Sequence, residues 1–375
     1  MLEIPCRLVT NFAPRARVQI LLAALVAALL ACAPSAGTPA AAPPPSPATA
    51  GEHPGSQATA PPTARPARTL QIAVQGLAGF FYPMWVADRQ GFLRDQGLAV
   101  EWTTLDTNQA IPALLGGSLD ILNASTDAAL IALSKGATLK LVGDYNIVTP
   151  YELVARPEIT TIDGLRGQRV GASSLNAGSG TIVRYMLRAH GLSDDDYELV
   201  QAGGNPQRYA ALQSGGVAAS ILTDPVNFRA RLDGYRILAA FADLVPEYSL
   251  DSWWVRADWL NDAANREALV GFLTALGRAQ QWAKAPENHQ ALVDLVMDEA
   301  HSPQEIAQQI YDYYVVQNPG AIDSTDVRDG PIGSVVRILR ELQDLPPLPP
   351  ESAWIDRTYA RQARAAVGQP AATAR

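Results

Sequence analysis

The sequence predicts an α/β fold of two lobes, with mainly parallel sheets, helices on both faces and a two-strand hinge. Three observations predict it. Strand-like and helix-like segments alternate from Leu70 onward, and the alternation restarts after Pro157. Hydrophobic residues make up 48% of the chain against 18% charged, enough for a sizeable core. With 375 residues the chain accommodates two domains of roughly 150 residues each.

Each element has a local reason. Gln71–Gln75 alternates apolar and polar residues and runs into glycine, as a strand does. Residues 83–96 carry Trp85, Val86, Phe92 and Leu93 at helical spacing and stop at Gly97. A strand at 98–102, a short helix at 110–115, a strand at 119–123, a helix at 127–134 and a strand at 139–143 complete the first unit. The second unit repeats the scheme, with strands at 169–172, 197–201 and 218–222 and helices at 181–189 and 207–213. Such alternation implies βαβ crossovers. Helices are predicted over 261–284, 287–300 and 303–316, then a Pro-rich loop at 345–350 and a short helix near 355–366. Tyr151–Ala155 and Ser252–Arg256 are strand-like and flank the second unit; paired antiparallel, they would form the hinge. Lobe one is then 69–150 plus 257–375, and lobe two is 151–256.

The N-terminus reads as an address. Arg7, Arg15 and Arg17 precede an apolar run from Ile20 to Leu30, the layout of a signal peptide over 1–31. The run is shorter than the ~20 residues of a membrane span. It ends Leu29-Leu30-Ala31-Cys32, which is similar to a bacterial lipobox, so Cys32 is the expected lipidation site; an ordinary signal peptide or an uncleaved anchor are the alternatives. Residues 33–68 hold ten prolines and eleven alanines, too little to bury, so 32–68 is expected to be a disordered, extended tether. The expected location is outside the cytoplasmic membrane, lipid-anchored to its outer face.

Composition excludes several activities. Cys6 and Cys32 are the only cysteines, which removes a disulfide scaffold, a cysteine zinc site and a cysteine nucleophile from the body. His53, His190, His289 and His301 are far apart in sequence, and no spacing suits a metal. The net charge of −8 and the absence of a long basic run disfavour nucleic acid. No GxSxG, Walker or GxGxxG motif is present. The expectation is a protein that is not an enzyme, with no cofactor and no metal.

Ligands of open α/β sheets bind at the carboxyl ends of strands, so residues just past each strand are the candidates. Gly79, Phe80, Phe81 and Tyr82 follow the first strand and offer pliable backbone and aromatic surface. Asn123, Ser125 and Thr126 follow the third. In lobe two Ser173, Ser174, Ser179, Gly180 and Thr181 form a Ser/Gly loop that leads into a helix. Free N–H groups there suit an anion, or the hydroxyls simply cap the helix. Thr223 and Asp224 follow a later strand, where Asp224-Pro225 also reads as a common turn pair. One of Trp253 and Trp254 should face inward, and Trp253 is the candidate.

Several segments together resemble a known family. They are Pro83-Met84-Trp85-Val86-Ala87 with Gly91-Phe92-Leu93, Leu114-Leu115-Gly116-Gly117-Ser118-Leu119-Asp120, the run Asp163 to Gly171, and the helix start Gly178-Ser179-Gly180-Thr181. Over about 70–365 the chain resembles the solute-binding proteins of ABC importers, in the nitrate/sulfonate/taurine and thiamine-pyrimidine branch. The resemblance implies a type II periplasmic-binding fold that closes on a small organic anion or polar heterocycle. The expected partners are that ligand, a membrane permease with its ATPase, and the membrane through the lipid anchor, with the protein itself a monomer. A ligand-sensing lipoprotein and a pyrimidine-synthase-like enzyme are the alternatives. The family often carries an Asp-Ala-Ala-x-x-Trp-Glu-Pro-like segment; here Ala218 to Pro225 lacks the leading aspartate and the tryptophan.

Overall fold

The computed structural model describes residues 68–74, 78–343 and 345–368. The signal peptide, Cys32 and the tether up to residue 67 lie outside the described residues. Arg68, counted with the tether from sequence, opens the first strand.

In chain order the strands are β1 (Arg68–Val74), β2 (Leu98–Thr104), β3 (Ile121–Ser125), β4 (Leu139–Asn146), β5 (Glu152–Ala155), β6 (Arg169–Ala172), β7 (Glu198–Gln201), β8 (Ala219–Leu222), β9 (Arg236–Ala240) and β10 (Asp251–Arg256). They form two five-stranded sheets, ordered β2-β1-β3-β10-β4 and β7-β6-β8-β5-β9. The orders correspond place by place: β1 to β6, β2 to β7, β3 to β8 and β10 to β5. β1 runs parallel to β2 and β3, and β6 parallel to β7 and β8. In each sheet the reversed strand is the one the chain reaches on crossing from the other sheet, β5 on the way in and β10 on the way back.

The expected pairing of 151–155 with 252–256 does not occur. β5 sits between β8 and β9, and β10 between β3 and β4. An interior strand satisfies backbone groups on both edges, and a local apolar pattern does not name the partner that does so. The crossings, 147–151 and 241–250, do run together. Tyr248 N donates to Ile147 O (3.0 Å), Leu250 N to Asn146 O (2.8 Å) and Phe241 N to Tyr151 O (2.9 Å).

Helices cover both faces of the first sheet. Leu70, Ile72, Ile121, Trp253 and Val255 pack in the apolar cluster that includes helices Tyr82–Arg89 and Ala263–Lys284. Ala73, Leu122, Leu141 and Trp254 join the other cluster, with helices Thr126–Ser134 and Asp329–Gln343. Adjacent strand residues point to opposite faces, so Trp253 and Trp254 enter different clusters and both are fully buried. Each large apolar side chain so buried contributes about 1.5–3 kcal/mol.

The helix expected over 83–96 is two, Tyr82–Arg89 and Phe92–Asp95, because Gly91 at φ 77° takes a left-handed turn that a right-handed helix cannot contain. The helix expected over 303–316 is α-helical only over Gln304–Tyr311. Helices Val226–Leu232 and Asp329–Gln343 and strand β9 were not anticipated. Among the described residues no helix is long and apolar enough to cross a membrane.

Candidate functional site: the cleft between the lobes

Each lobe places a Thr-Asp pair directly after corresponding strands, Thr126-Asp127 after β3 and Thr223-Asp224 after β8. Both aspartates are buried, and each reaches a backbone N–H of the opposite lobe. Asp224 Oδ2 accepts from Gly79 N at 2.5 Å, while Oδ1 accepts from Tyr314 Oη at 2.7 Å and Thr223 Oγ1 at 3.0 Å. Asp127 Oδ2 accepts from Gly178 N at 2.6 Å, and its Oδ1 accepts from Ala128 N at 2.7 Å and from the Ser125 hydroxyl. Gly79 follows β1 and Gly178 follows β6, so the two contacts are equivalent under the correspondence of the sheets. Only glycine allows the first: a Cβ on residue 79 would collide with Asp224 Oδ2 and lie 2.6 Å from Ile310 Cγ2. Burial pushes the Asp224 carboxyl above its ordinary range, against the pull of Tyr314, Thr223 and Gly79.

The lobe-one floor of the cleft is built by β10. Its Asp251 is paired with Ser125 of β3 on one side and Asn146 of β4 on the other, and Trp253 is paired with Asn123. Directly opposed residues share a face, so Asn123, Ser125 and Asp251 lie on one face. Asn123 is 0% exposed and neither amide atom has a hydrogen-bond partner. Asn146 Oδ1 accepts from Val148 N at 3.2 Å, but its Nδ2 is unpartnered. Asp251 is 7% exposed. Burial pushes its carboxyl up to about 7, and the neighbouring Asp127 pushes the same way.

On the other face of these strands the hydroxyls and the carboxylate are satisfied, while Trp254 Nε1 has no partner. Thr126 Oγ1 meets Ser252 Oγ at 2.7 Å and Ser249 Oγ at 3.1 Å. Asp144 accepts from Ser249 Oγ at 2.9 Å and Arg328 N at 2.8 Å, and burial holds its carboxyl at about 6.

Lobe two presents a self-contained surface. Ser179 Oγ accepts from Ser173 N at 2.8 Å and lies 2.8 Å from Ser173 Oγ. Ser174 Oγ donates to Ala177 O at 2.6 Å. Thr181 is buried in the helix Ser179–Ala189 that follows. Gly180 is fixed by close approach, since a Cβ there would lie 2.9 Å from the Leu175 carbonyl oxygen. Behind Thr223, Arg208 is buried, with Nε on Ile221 O (2.8 Å), Nη1 on Gly203 O (3.0 Å) and Nη2 on Asn205 Oδ1 (3.2 Å). Burial lowers its pKa.

The structure therefore gathers Gly79, Asn123, Ser125, Thr126, Thr223 and Asp224 near the cleft, with the Ser173–Thr181 loop facing them through Gly178. The aromatics lie deeper. Phe80 meets Tyr314 edge-on, Phe81 stacks on Tyr145, and the Tyr145 hydroxyl donates to Phe80 O at 2.7 Å. Tyr82 is buried in its helix. Trp253 sits in the core of lobe one, enclosed by Tyr145 and Phe272, with Nε1 donating to Ser324 Oγ at 3.1 Å. A groove of about 400 Å³ opens at the rim between Tyr209, Pro225 and Arg229 of lobe two and Glu299, His301 and Pro303. Sequence reasoning passed over Asp127, Asn146, Asp251 and Arg208. The repeated Thr-Asp pair was the available signal for Asp127. Among the described residues no three His, Cys, Asp or Glu side chains gather as a metal site.

Two corresponding α/β sheets, crossed twice by the chain and bridged across a buried polar cleft, define the periplasmic-binding-protein fold. Within it, the family model described as "NMT1/THI5 like" matches residues 80–289, more than half of the chain, and the chain belongs to that family. YtlA of Bacillus subtilis (strain 168), which carries a provisional binding-protein name, is 25% identical over 234 residues, covering 59% of this chain and 67% of YtlA. The alkanesulfonate-binding protein SsuA from Xanthomonas axonopodis pv. citri, bound to MOPS, superposes with a TM-score of 0.63 at 19% identity over 77% of this chain and 98% of its own. The periplasmic nitrate-binding protein NrtA from Synechocystis PCC 6803 gives 0.65 at 16% identity over 81% and 90%. At these identities the two structures share the fold.

Proposed function

We propose that the protein is the extracytoplasmic substrate-binding lipoprotein of an ABC importer. It captures a small polar solute between its lobes and presents the closed form to a membrane permease with its ATPase. The observation that carries this reading is the pair of inter-lobe contacts, Asp224 to Gly79 and Asp127 to Gly178, closing over polar groups that have no partner. A buried polar group without a partner is unfavourable by about 1–3 kcal/mol, and a bound solute removes that penalty as it stabilises closure. Relatives named for alkanesulfonate and nitrate support a small-solute role. Gly79, Asn123, Ser125, Thr126, Thr223 and Asp224 are the proposed ligand-side groups, and the Ser173–Thr181 loop is the proposed closing surface. Cys32, exposed by cleavage after residue 31, would carry the lipid, with 32–67 as the tether. No catalytic step is assigned.

The test is thermal unfolding of the protein against alkylsulfonates, taurine, nitrate, bicarbonate, aminopyrimidines, riboflavin-like heterocycles, dicarboxylates and organic cations. A ligand at 100 times its Kd adds about 2.7 kcal/mol, a shift of a few degrees. Saturable binding of one class supports the reading, and no binding by any class to the folded protein rejects it.

A further inference from the structure

The cleft's unmet groups point to one ligand chemistry, on the reading that this cleft is the solute site. The cationic and loop N–H groups that would hold an anion are already engaged by the protein itself. The N–H of Gly178, at the start of helix Ser179–Ala189, holds the Asp127 carboxylate, and that of Gly79 holds Asp224. The Arg208 guanidinium donates to two backbone carbonyls and the Asn205 side chain. A carboxylate at a helix start is electrostatically well placed, and a free anion would have to displace it.

What lacks a partner is a buried carboxylate, with amide groups of both kinds around it. Asp251 is more than nine-tenths buried, with no charge-assisted bond or cation acting on its carboxylate; the charge that acts on it is that of Asp127. The phenols of Tyr145, Tyr151 and Tyr248, which feel its charge or that of Asp127, are themselves neutral, held far from ionisation by burial. On the same face Asn123 has a free acceptor and a free donor, and Asn146 beside Asp251 has a free Nδ2 donor. An isolated buried carboxylate is among the least favourable groups a protein can hold, and a matching cation removes the penalty.

We infer that the ligand is a small organic cation, of the amidinium, guanidinium or ammonium type, whose N–H groups are held by the Asp251 carboxylate and the Asn123 side-chain oxygen. An acceptor elsewhere on the ligand would meet the amide N–H groups of Asn123 and Asn146. Asp127, beside Asp251, adds to the negative field, and closure through Gly178 seals the charge from water.

The test uses the folded protein and probes matched in skeleton but opposite in charge: benzamidine with benzoate, and butylamine with butanesulfonate, with methylguanidine and nitrate as smaller probes. The expected result is a raised Tm with at least one cation and none of the anions. The affinity should rise from pH 5.5 to pH 8 as Asp251 gives up its proton, and fall at least tenfold in Asp251→Asn and in Asn123→Leu. Both variants are near-isosteric, and their ligand-free Tm reports that they fold. An anion that binds with affinity unchanged by Asp251→Asn overturns this inference and leaves the binding-protein reading standing. Absence of any shift from the cations overturns it as well, and absence of a shift from every class tested rejects the binding-protein reading too.

Discussion

The two lobes share one strand order and one way of reaching across the cleft, yet they differ in how their polar groups end up. Lobe two closes its own account: Ser173, Ser174, Ser179, Thr223 and Arg208 all bond within the lobe. Lobe one leaves Asn123 without a partner, Asn146 half satisfied and Asp251 unpaired. On the proposed function, the difference assigns the reading of the ligand to lobe one. A surface that satisfies itself gains little from a guest and serves as a lid, whereas a buried surface with open valences gains by what fills them. Lobe one is also the half built from two chain segments, with β10 returning from lobe two to lie between β3 and β4. The return strand carries Asp251 into the cleft floor as the lobe is completed.

The largest effect should come from the scaffold under that floor. Trp253 is 0% exposed and wedged between Tyr145 and Phe272. Trp253→Ala should lower stability by about 3–5 kcal/mol, read by denaturant unfolding. A smaller loss, together with a selective loss of ligand binding, would move Trp253 from scaffold to cleft wall and weaken the contrast between core and floor.

The second effect concerns the unpaired carboxylate. A carboxyl whose folded pKa lies above its unfolded value keeps a proton that the unfolded chain has released between the two. The folded state then binds more protons over that window, so stability falls as pH rises. For Asp251 the window runs from about 4 to about 7, and Asp144 adds to its lower part, up to about 6. Ligand-free protein should therefore be more stable at pH 4.5 than at pH 8 as far as these two groups decide it. Asp251→Asn should be more stable than the parent at pH 8 by up to about 4 kcal/mol, and nearly equal to it at pH 4. Thermal unfolding across pH checks this; a destabilised Asp251→Asn at pH 8 would mean the carboxylate has a partner after all.

The inter-lobe contacts come next. Asp224→Ala leaves Gly79 N and Tyr314 Oη without their acceptor, and should favour the open form by about 2 kcal/mol or more. Asp127→Ala frees one inter-lobe donor, Gly178 N, and should open the cleft less. Solution scattering would show a larger radius of gyration for the first variant than for the second. Equal compactness of both with the parent would show that packing, not these carboxylates, holds the lobes together.

Much of this arrangement was legible in the sequence because it is local. The βα alternation and the glycine stops placed most strands and helices within a few residues. Helix Asp329–Gln343 carried its own signal in the spacing of Ile332, Val335, Ile338, Leu339 and Leu342, masked by Gly330, Pro331 and Gly333 near its start. Strand partners were not legible: Tyr151–Ala155 and Ser252–Arg256 read as a pair, but each is buried between strands far away in sequence. The site divided the same way. Candidates just past strand ends follow from topology alone. Asp251 opens one strand and Asn146 closes another, and their place in the proposed site comes only from β10 entering between β3 and β4.

The smallest expected effect is the sharpest check on the contrast between the halves. In lobe two, Ser174→Ala removes a hydroxyl that donates to Ala177 O at 2.6 Å and accepts from Ala177 N at 3.2 Å, both within its own loop. Ser173→Ala removes one member of a hydroxyl pair and leaves the Ser173 N to Ser179 Oγ bond intact. Each should reduce stability by about 1 kcal/mol or less and change ligand affinity by less than a factor of about 5. Asn123→Leu on the opposite floor carries no such internal bond to lose, so its stability should hold or rise while its affinity falls. Measuring Tm and affinity together for the three variants separates the roles. If the serine variants fold normally but lose affinity as steeply as Asn123→Leu, the loop of lobe two touches the ligand directly, and recognition is shared between the lobes instead of residing in one.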